Sequence, residues 1–232
     1  MNRKIIITGD GSHSISINGS EIIYHSKHGA IQESKHVFIN AGLTFFLSGN
    51  KFEEKASLNI LEIGFGTGLN ALLSLQQAIL LEQKIFYHAI EPHPLNKEEF
   101  ESLNYPQLID TSLSKYFLQM HQSACEETIS IHPLFSLVKS NSSLQNINLT
   151  KKFHLIYFDA FHPNYQPELW TTEIFKKMYN ILYYNGMLVT YSSKGNVCRS
   201  MLAAGFSTEK IAGPPHKREM LRAIKKESNI KA

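Results

Sequence analysis

Three groups of residues in this chain have types and spacings that can do chemistry: the glycines Gly64, Gly66 and Gly68, the acid Glu91, and a second acid, Asp159. The glycines follow Asn59-Ile60-Leu61-Glu62-Ile63 and precede Leu69-Asn70-Ala71-Leu72-Leu73, so a buried strand, a turn and a helix succeed one another without a gap. Glycine tolerates positive φ and lets backbone approach a ligand closely, as the first turn of a doubly wound nucleotide-binding fold requires. A dinucleotide fingerprint spaces its glycines G-x-G-x-x-G; here the third comes one residue early and Leu69 takes the expected slot, so no pyrophosphate is implied. Glu91 follows the strand-like Ile85–Ile90, where its carboxylate could accept hydrogen bonds from both hydroxyls of a ribose, which makes it the second cofactor candidate; an exposed acid capping a helix before Pro92 is its alternative. Asp159 follows Leu155-Ile156-Tyr157-Phe158 at the carboxyl edge of a sheet, where ligands bind in open α/β folds, and is the catalytic candidate. A capping role without chemistry is its alternative.

These positions depend on a regular alternation of elements. From Leu58 onward the chain reads strand, helix, strand, which predicts a mostly parallel sheet covered on both faces. The predicted strands are Asn59–Ile63, Ile85–Ile90, Phe135–Val138, His154–Phe158, Met187–Tyr191, Phe206–Lys210 and Glu219–Ala223. Helices are predicted near Leu69–Glu82, Leu95–Leu103, Leu113–His121, Pro167–Tyr183 and Asn196–Ala204, the last stopped by Gly205. Before them, Lys4 to Thr8, Ser14 to Ile17 and Glu21 to Tyr24 read as short strands joined by turns at Asp10-Gly11 and Asn18-Gly19. A helix from Glu33 to Leu47, starting near Ser34, leads into the main unit. The expectation is an N-terminal β-hairpin and helix extension over residues 1–50 and a catalytic domain over 51–232, together one compact unit.

Composition narrows the class. With 232 residues, 43% hydrophobic and 19% charged, the chain can bury a full α/β core, and no apolar run approaches the roughly 20 residues of a membrane span. The basic start Met1-Asn2-Arg3-Lys4 is cut off by Thr8-Gly9-Asp10-Gly11 too soon for a signal peptide, so a cytoplasmic location is expected. Cys125 and Cys198 are too few for a disulfide framework or a cysteine zinc site; both are expected reduced, with no metal bound. A net charge of +3 permits nucleic-acid contact without demanding it, and the basic cluster Lys217, Arg218, Arg222, Lys225 and Lys226 suits a solvated end as well as a phosphate contact.

The run Gly64-Phe65-Gly66-Thr67-Gly68 after Glu62 resembles the cofactor loop of class I methyltransferases, a Rossmann-like fold with a mostly parallel seven-stranded sheet. The resemblance implies S-adenosyl-L-methionine as cofactor, which carries no phosphate and packs its methionine portion on the turn. Lys139-Ser140-Asn141-Ser142, after the third strand, would offer the adenine a polar partner through Ser140 or Asn141. Methyl transfer to an alkylamine, whose pKa is about 10, requires that the amine first lose a proton. Asp159 could hold the ammonium, orient the lone pair after proton loss, or pass the proton to solvent. Phe161, Tyr165 and Trp170 could stack on a base or belong to the core.

Further spaced blocks make the chain similar to the methyltransferase domain of MnmC-type tRNA-modifying enzymes over nearly its whole length. They are Tyr24-His25-Ser26 with Gly29, Glu33-Ser34 and Val37-Phe38; Gly64 through Asn70; Asp159-Ala160-Phe161, Pro163, Pro167-Glu168-Leu169-Trp170 and Phe175; Ser192-Ser193, Gly195, Val197, Arg199 and Ala204-Gly205-Phe206; and Gly213 with Lys217-Arg218-Glu219-Met220-Leu221. The resemblance implies N-methylation of the 5-aminomethyl group on the wobble 2-thiouridine of tRNA, giving 5-methylaminomethyl-2-thiouridine, with the anticodon stem-loop as partner. It implies cofactor residues Glu62, Gly64, Phe65, Gly66, Thr67, Gly68, Asn70, Glu91, Ser140, Asn141 and Asp159, and substrate residues Phe161, Pro163, Trp170, Lys217, Arg218 and Glu219. Two substitutions depart from the family pattern: its Gly-Asp pair is replaced near Ser140-Asn141, and Cys198 stands where an arginine is usual. No FAD-dependent oxidase domain is expected, which would leave this chain the methylation half of a two-step conversion. Rival readings are a methyltransferase or aminopropyl transferase acting on a small amine, which would need no basic rim, and a non-catalytic tRNA-binding protein.

Overall fold

The central strands carry apolar side chains on both faces, so the sheet must be covered twice. The computed structural model describes residues 3–17, 22–49 and 56–227. Among them are β1 (Arg3–Ile7), β2 (His13–Ile17), β3 (Leu58–Ile63), β4 (Ile85–Ile90), β5 (Ile129–His132), β6 (Phe135–Ser140), β7 (Phe153–Phe158), β8 (Leu182–Thr190), β9 (Ser207–Ala212) and β10 (Glu219–Ile224). The last eight form one sheet in the order β5-β6-β4-β3-β7-β8-β10-β9. Strands β6, β4, β3, β7 and β8 are parallel, and β10 runs antiparallel between β8 and β9. All seven expected strands are present. The eighth, β5, pairs antiparallel with the β6 edge, and its four residues are too few to carry a periodic signal of their own.

Period-2 alternation sends successive residues of a strand into different layers. Along β7, Leu155 and Tyr157 enter a core shared with Phe38, Leu43 and Leu72, while Ile156 and Phe158 enter one shared with Phe175, Met178 and Leu188. The helices Leu69–Leu80, Lys97–Glu101, Ser114–Gln122, Thr172–Ile181 and Gly195–Ala203 fall within or beside their expected spans, with a short extra helix at Tyr105–Ile109. From β3 the chain passes to β4 on one side, while β7 pairs on the other. That reversal opens a crevice at the carboxyl ends of β3 and β7, where the glycine turn and Asp159 lie.

The N-terminal segment differs from expectation in instructive ways. β1 and β2 form a separate two-stranded sheet, and the third strand expected there is reduced to a bridge between Ser16 and Ile23. The Asn18-Gly19 turn, Glu21 and the boundary expected at 50/51 lie outside the described residues. The following helix begins at Ala30, before the expected Ser34, because remote side chains cap it. Thr8 Oγ1 accepts from the Ala30 N–H at 3.2 Å and Asp10 Oδ2 from the Gln32 N–H at 2.9 Å, so the turn between β1 and β2 holds the helix start. Lys35–Thr44 continues with the wider π-helical turn before Phe45–Gly49 resumes as α-helix.

The C-terminal basic cluster also divides. Arg222 is 6% exposed; its Nε and Nη2 donate to the Ala41 carbonyl of the π-helical stretch at 3.3 and 3.2 Å, and its guanidinium lies 3.3 Å from the Phe45 ring centroid. Lys225 Nζ donates to the carbonyls of Tyr179 and Leu182. Both cations are therefore structural braces and are withdrawn from any solvated basic end. Replacing Arg222 by Met removes both charge-assisted hydrogen bonds to the Ala41 carbonyl and should lower the free energy of urea unfolding by about 2 kcal/mol. Glu209, 55% exposed at its 3.2 Å pair with Arg222, should tolerate Gln with a change of about 0.5 kcal/mol or less in the same titration.

Candidate active site

The turn after β3 is shaped by backbone conformations that side chains resist. Gly64, Gly66 and Gly68 all have positive φ, at 90°, 50° and 73°. A Cβ on Gly64 would stand 2.7 Å from the Asp159 carbonyl oxygen, and one on Gly66 would stand 3.0 Å from the Tyr24 ring. The turn is thereby pressed against the end of β7 on one side and the N-terminal segment on the other. Glu91 fastens it from the next strand: its Oε2 accepts from the Gly66 N–H at 2.9 Å and its Oε1 from the His93 N–H at 2.8 Å.

Gly64, Gly66 and Glu91 line a cavity of about 640 Å³ with Ile63, Ile90 and Leu144. Its chemistry suits a nucleoside cofactor without phosphate: a carboxylate for ribose hydroxyls, glycine backbone, and apolar walls. Arg3, the cation at its rim, is taken up by Glu99 at 3.2 Å and by the carbonyls of His93 and Pro94. The residues present thus fit S-adenosyl-L-methionine.

Behind the turn, Asn70 joins two carboxyl groups. Its Nδ2 donates to Glu62 Oε1 at 2.9 Å and to Asp159 Oδ2 at 2.8 Å. Glu62 is fully buried, and burial first of all holds its carboxyl well above the usual carboxylate range. Asp159 keeps an accessible edge at the cavity wall while protein encloses the rest of it. Its pKa is pushed up to about 7, chiefly by burial and next by the Glu33 carboxylate, against the lowering effects of the Asn70 hydrogen bond and of Lys217.

Asp159 also lines a second cavity, of about 670 Å³, whose other walls include Tyr24, Glu33, Phe161, Tyr191 and Lys217. Tyr24 and Phe161 meet edge to face at 5.0 Å, and with Asp159 and Ala160 they belong to both cavities. Glu33 Oε1 is paired with Lys217 Nζ at 2.7 Å, and its Oε2 accepts from the Ser26 N–H. The Tyr191 hydroxyl donates to the Ala160 carbonyl at 2.9 Å, which fixes its ring as a wall, and Lys217 Nζ lies 4.3 Å from that ring's centroid. His25 Nε2 meets Thr67 Oγ1 at 2.7 Å and ties the N-terminal segment to the glycine turn. Burial lowers this imidazole's pKa to about 4, so the tie is uncharged.

Several expected site residues hold other positions. Glu62 faces the Leu69–Leu80 helix, because alternation along β3 points it away from the cavities. Phe65, Thr67, Gly68 and Asn70 back the turn and do not line the cofactor cavity. Ser140 is buried between His88 and Glu126, and the Asn141 N–H donates to Glu126; Ser143, Leu144 and Gln145 take the wall expected of them. Trp170 is 3% exposed, packs on Phe158 and Phe175, and donates from Nε1 to the Phe161 carbonyl at 2.9 Å. It is a core residue that positions the Phe161 loop. Pro163 is buried outside both cavities, while Arg218 and Glu219 reach only a smaller cleft beside the second. Tyr24, Glu33 and Tyr191 were given no role by sequence, although Tyr24 and Glu33 stand in the N-terminal block that carries the resemblance.

Comparisons with known proteins agree with this architecture. A family model described as S-adenosyl-L-methionine-dependent methyltransferase matches residues 104–226. The bifunctional protein MnmC of tRNA 5-methylaminomethyl-2-thiouridine biosynthesis from Leptospira interrogans is 30% identical over 208 residues, and that from Paraburkholderia phymatum 27% over 218. Each match takes in 86% of this chain but 32% of the relative, so the chain spans about a third of their length. The crystal structure of MnmC2 from Aquifex aeolicus superposes with a TM-score of 0.75 at 21% identity, over 97% of this chain and 70% of that one, and shows the same fold. Among the described residues no helix is long and apolar enough to cross a membrane. A matched family model over more than half the sequence, on this fold and around this cavity, means that the chain belongs to the S-adenosyl-L-methionine-dependent methyltransferases.

Proposed function

We propose that this methyltransferase N-methylates the 5-aminomethyl group of the wobble 2-thiouridine in tRNA, yielding the 5-methylaminomethyl form. The observation that carries the reading is the meeting of two cavities at Asp159. One fits the cofactor, and the other presents Asp159 and Glu33 beside the aromatic rings of Tyr24, Phe161 and Tyr191, a setting for an amine on a flat base. The name of the MnmC relatives supports the tRNA nucleoside as acceptor, and Lys217 and Arg218 at the edge favour a polyanionic substrate over a small free amine. In this reading residues 1–50 form an extension that supplies the acceptor wall, 51–232 form the catalytic domain, and the reaction takes place in the cytoplasm.

S-adenosyl-L-methionine, when bound, supplies a sulfonium methyl that an amine lone pair takes in line while the C–S electron pair leaves to sulfur. The chain's own residues prepare the acceptor. Ionised Asp159 holds the incoming ammonium at the shared edge, and Asn70 fixes the carboxylate's orientation through Oδ2. A carboxyl with its pKa near 7 stands closer to the proton affinity of an alkylamine than an ordinary one, so Asp159 is suited to receive the proton that must leave before attack. Lys217 neutralises Glu33 and keeps the pocket from binding the ammonium too tightly to release that proton. Tyr24, Phe161 and Tyr191 exclude water from the reacting edge.

Incubating the protein with labelled cofactor and tRNA bearing aminomethyl uridine should yield the methylated nucleoside by mass spectrometry; turnover confined to free amines would overturn the tRNA assignment. In that assay kcat/KM should rise with pH through an apparent pKa of about 7, since Asp159 must be ionised to hold the ammonium. Asp159→Asn should lose about 100-fold or more in kcat/KM while calorimetry still detects cofactor binding. Glu91→Gln should instead raise the cofactor Kd by about tenfold or more, the cost of a lost charge-assisted hydrogen bond.

A further inference from the structure

Beside the acceptor cavity lies a cleft of about 250 Å³ whose basic edge suits a polyanion but whose other walls have so far been given no role. His162, Tyr191 and Lys217 line both spaces, so the two are continuous. Ser192, Ser193 and Lys194 form one wall of the cleft and lead directly into the nine-residue helix Gly195–Ala203. Among the described residues no side chain caps that helix, and its first turn carries no acid, so none of them compensates its leading N–H groups and the positive end of its dipole.

Ser192 supplies an independent sign of a ligand. It is 4% exposed and lines the cleft, yet its Oγ has no hydrogen-bond partner among the described residues. Buried hydroxyls are nearly always paired, so an orphan at a cleft wall marks a place for a missing acceptor. The surrounding charge gives that acceptor its sign: Lys194 and Arg218 stand at the cleft, and its one carboxylate, Glu219, is already paired with Lys210 at 2.8 Å. The His162 imidazole on the shared wall registers the same field. Its pKa is held below the ordinary value by burial, then by Lys194 and Lys217.

An uncapped helix start, a free buried hydroxyl, a lysine and an arginine make a receptor for a tetrahedral oxyanion. In an RNA the anion nearest a modified base is the phosphodiester of that nucleotide or its neighbour. We propose that the cleft lined by Ser192, Ser193, Lys194 and Arg218 binds a backbone phosphate of the substrate RNA while the adjoining cavity holds the amine-bearing base. This rests on the tRNA reading above and adds to it the contact that distinguishes a nucleotide within a chain from a free nucleoside.

The test is binding of a fluorescein-labelled anticodon stem-loop RNA, followed by anisotropy over a range of salt concentrations. Lys194→Ala should weaken binding and reduce the slope of log affinity against log salt by about 0.7, the signature of one lost phosphate contact on single-stranded nucleic acid. Ser192→Ala should weaken binding with the slope unchanged, because it removes a neutral donor. Lys115→Ala, beside β5 at the opposite edge of the sheet, should leave both quantities unaltered. Unchanged binding in Lys194→Ala and Ser192→Ala, or an equal loss of slope in Lys115→Ala, would overturn the phosphate site while leaving the tRNA reading intact. A wild-type protein that methylates a free amine but shows no salt-dependent affinity for the RNA would overturn the tRNA reading itself.

Discussion

The amide of Asn70 is the joint on which the site depends. One nitrogen donates to a carboxyl from β3 and to another at the end of β7, so the strand that leads into the glycine turn and the carboxyl of Asp159 are held together. Two charged carboxylates sharing a single amide would repel, and burial eases that conflict by favouring the neutral form of both acids. Glu62 is sealed under the helix, while Asp159 lies at the cavity edge.

A second constraint comes from the N-terminal segment, which would look dispensable from the sheet alone. The β1–β2 turn caps the helix that carries Glu33, and His25 is bonded to Thr67 in the glycine turn. Tyr24 stands so close to Gly66 that a methyl group there would crowd its ring. The cavity of about 670 Å³ is therefore built between this segment and the sheet, with Lys217 to Glu33 as a clasp between residues 184 positions apart. Neither part makes the pocket without the other.

The sequence made the framework legible because its signals are local. Predominantly apolar segments identify β3, β4 and β7, interrupted only by Asn59, Glu62, His88 and His154, and the spacing of Gly64, Gly66 and Gly68 separates this turn from a pyrophosphate-binding one. Asp159 could be found from its place at a strand end. What stayed hidden was orientation and long-range pairing. Nothing local says that Trp170 turns inward, that Arg222 and Lys225 are spent on backbone carbonyls, or that Ser140 is taken up by Glu126. Glu33 gains its meaning from Lys217, far along the chain, and the early start of its helix from Asp10 in another element. The π-helical stretch also blurs the 3.6-residue period by which a helix announces its buried face.

The wall formed by Tyr24, Ala160, Phe161 and Asp159 belongs to both cavities, and this gives the site a thermodynamic property as well as a shape. Whatever fills one cavity orders side chains that the other ligand must also touch. By linkage, any gain in acceptor affinity that the cofactor produces is returned in equal measure by the acceptor to the cofactor. S-adenosyl-L-methionine would bring to this wall a positive charge that its demethylated product lacks, so the two forms of the cofactor would differ in how they couple to the neighbouring ligand. A partition of six residues, completed by Ile22 and Tyr165, thus makes arrival and departure of the two ligands a single coupled equilibrium.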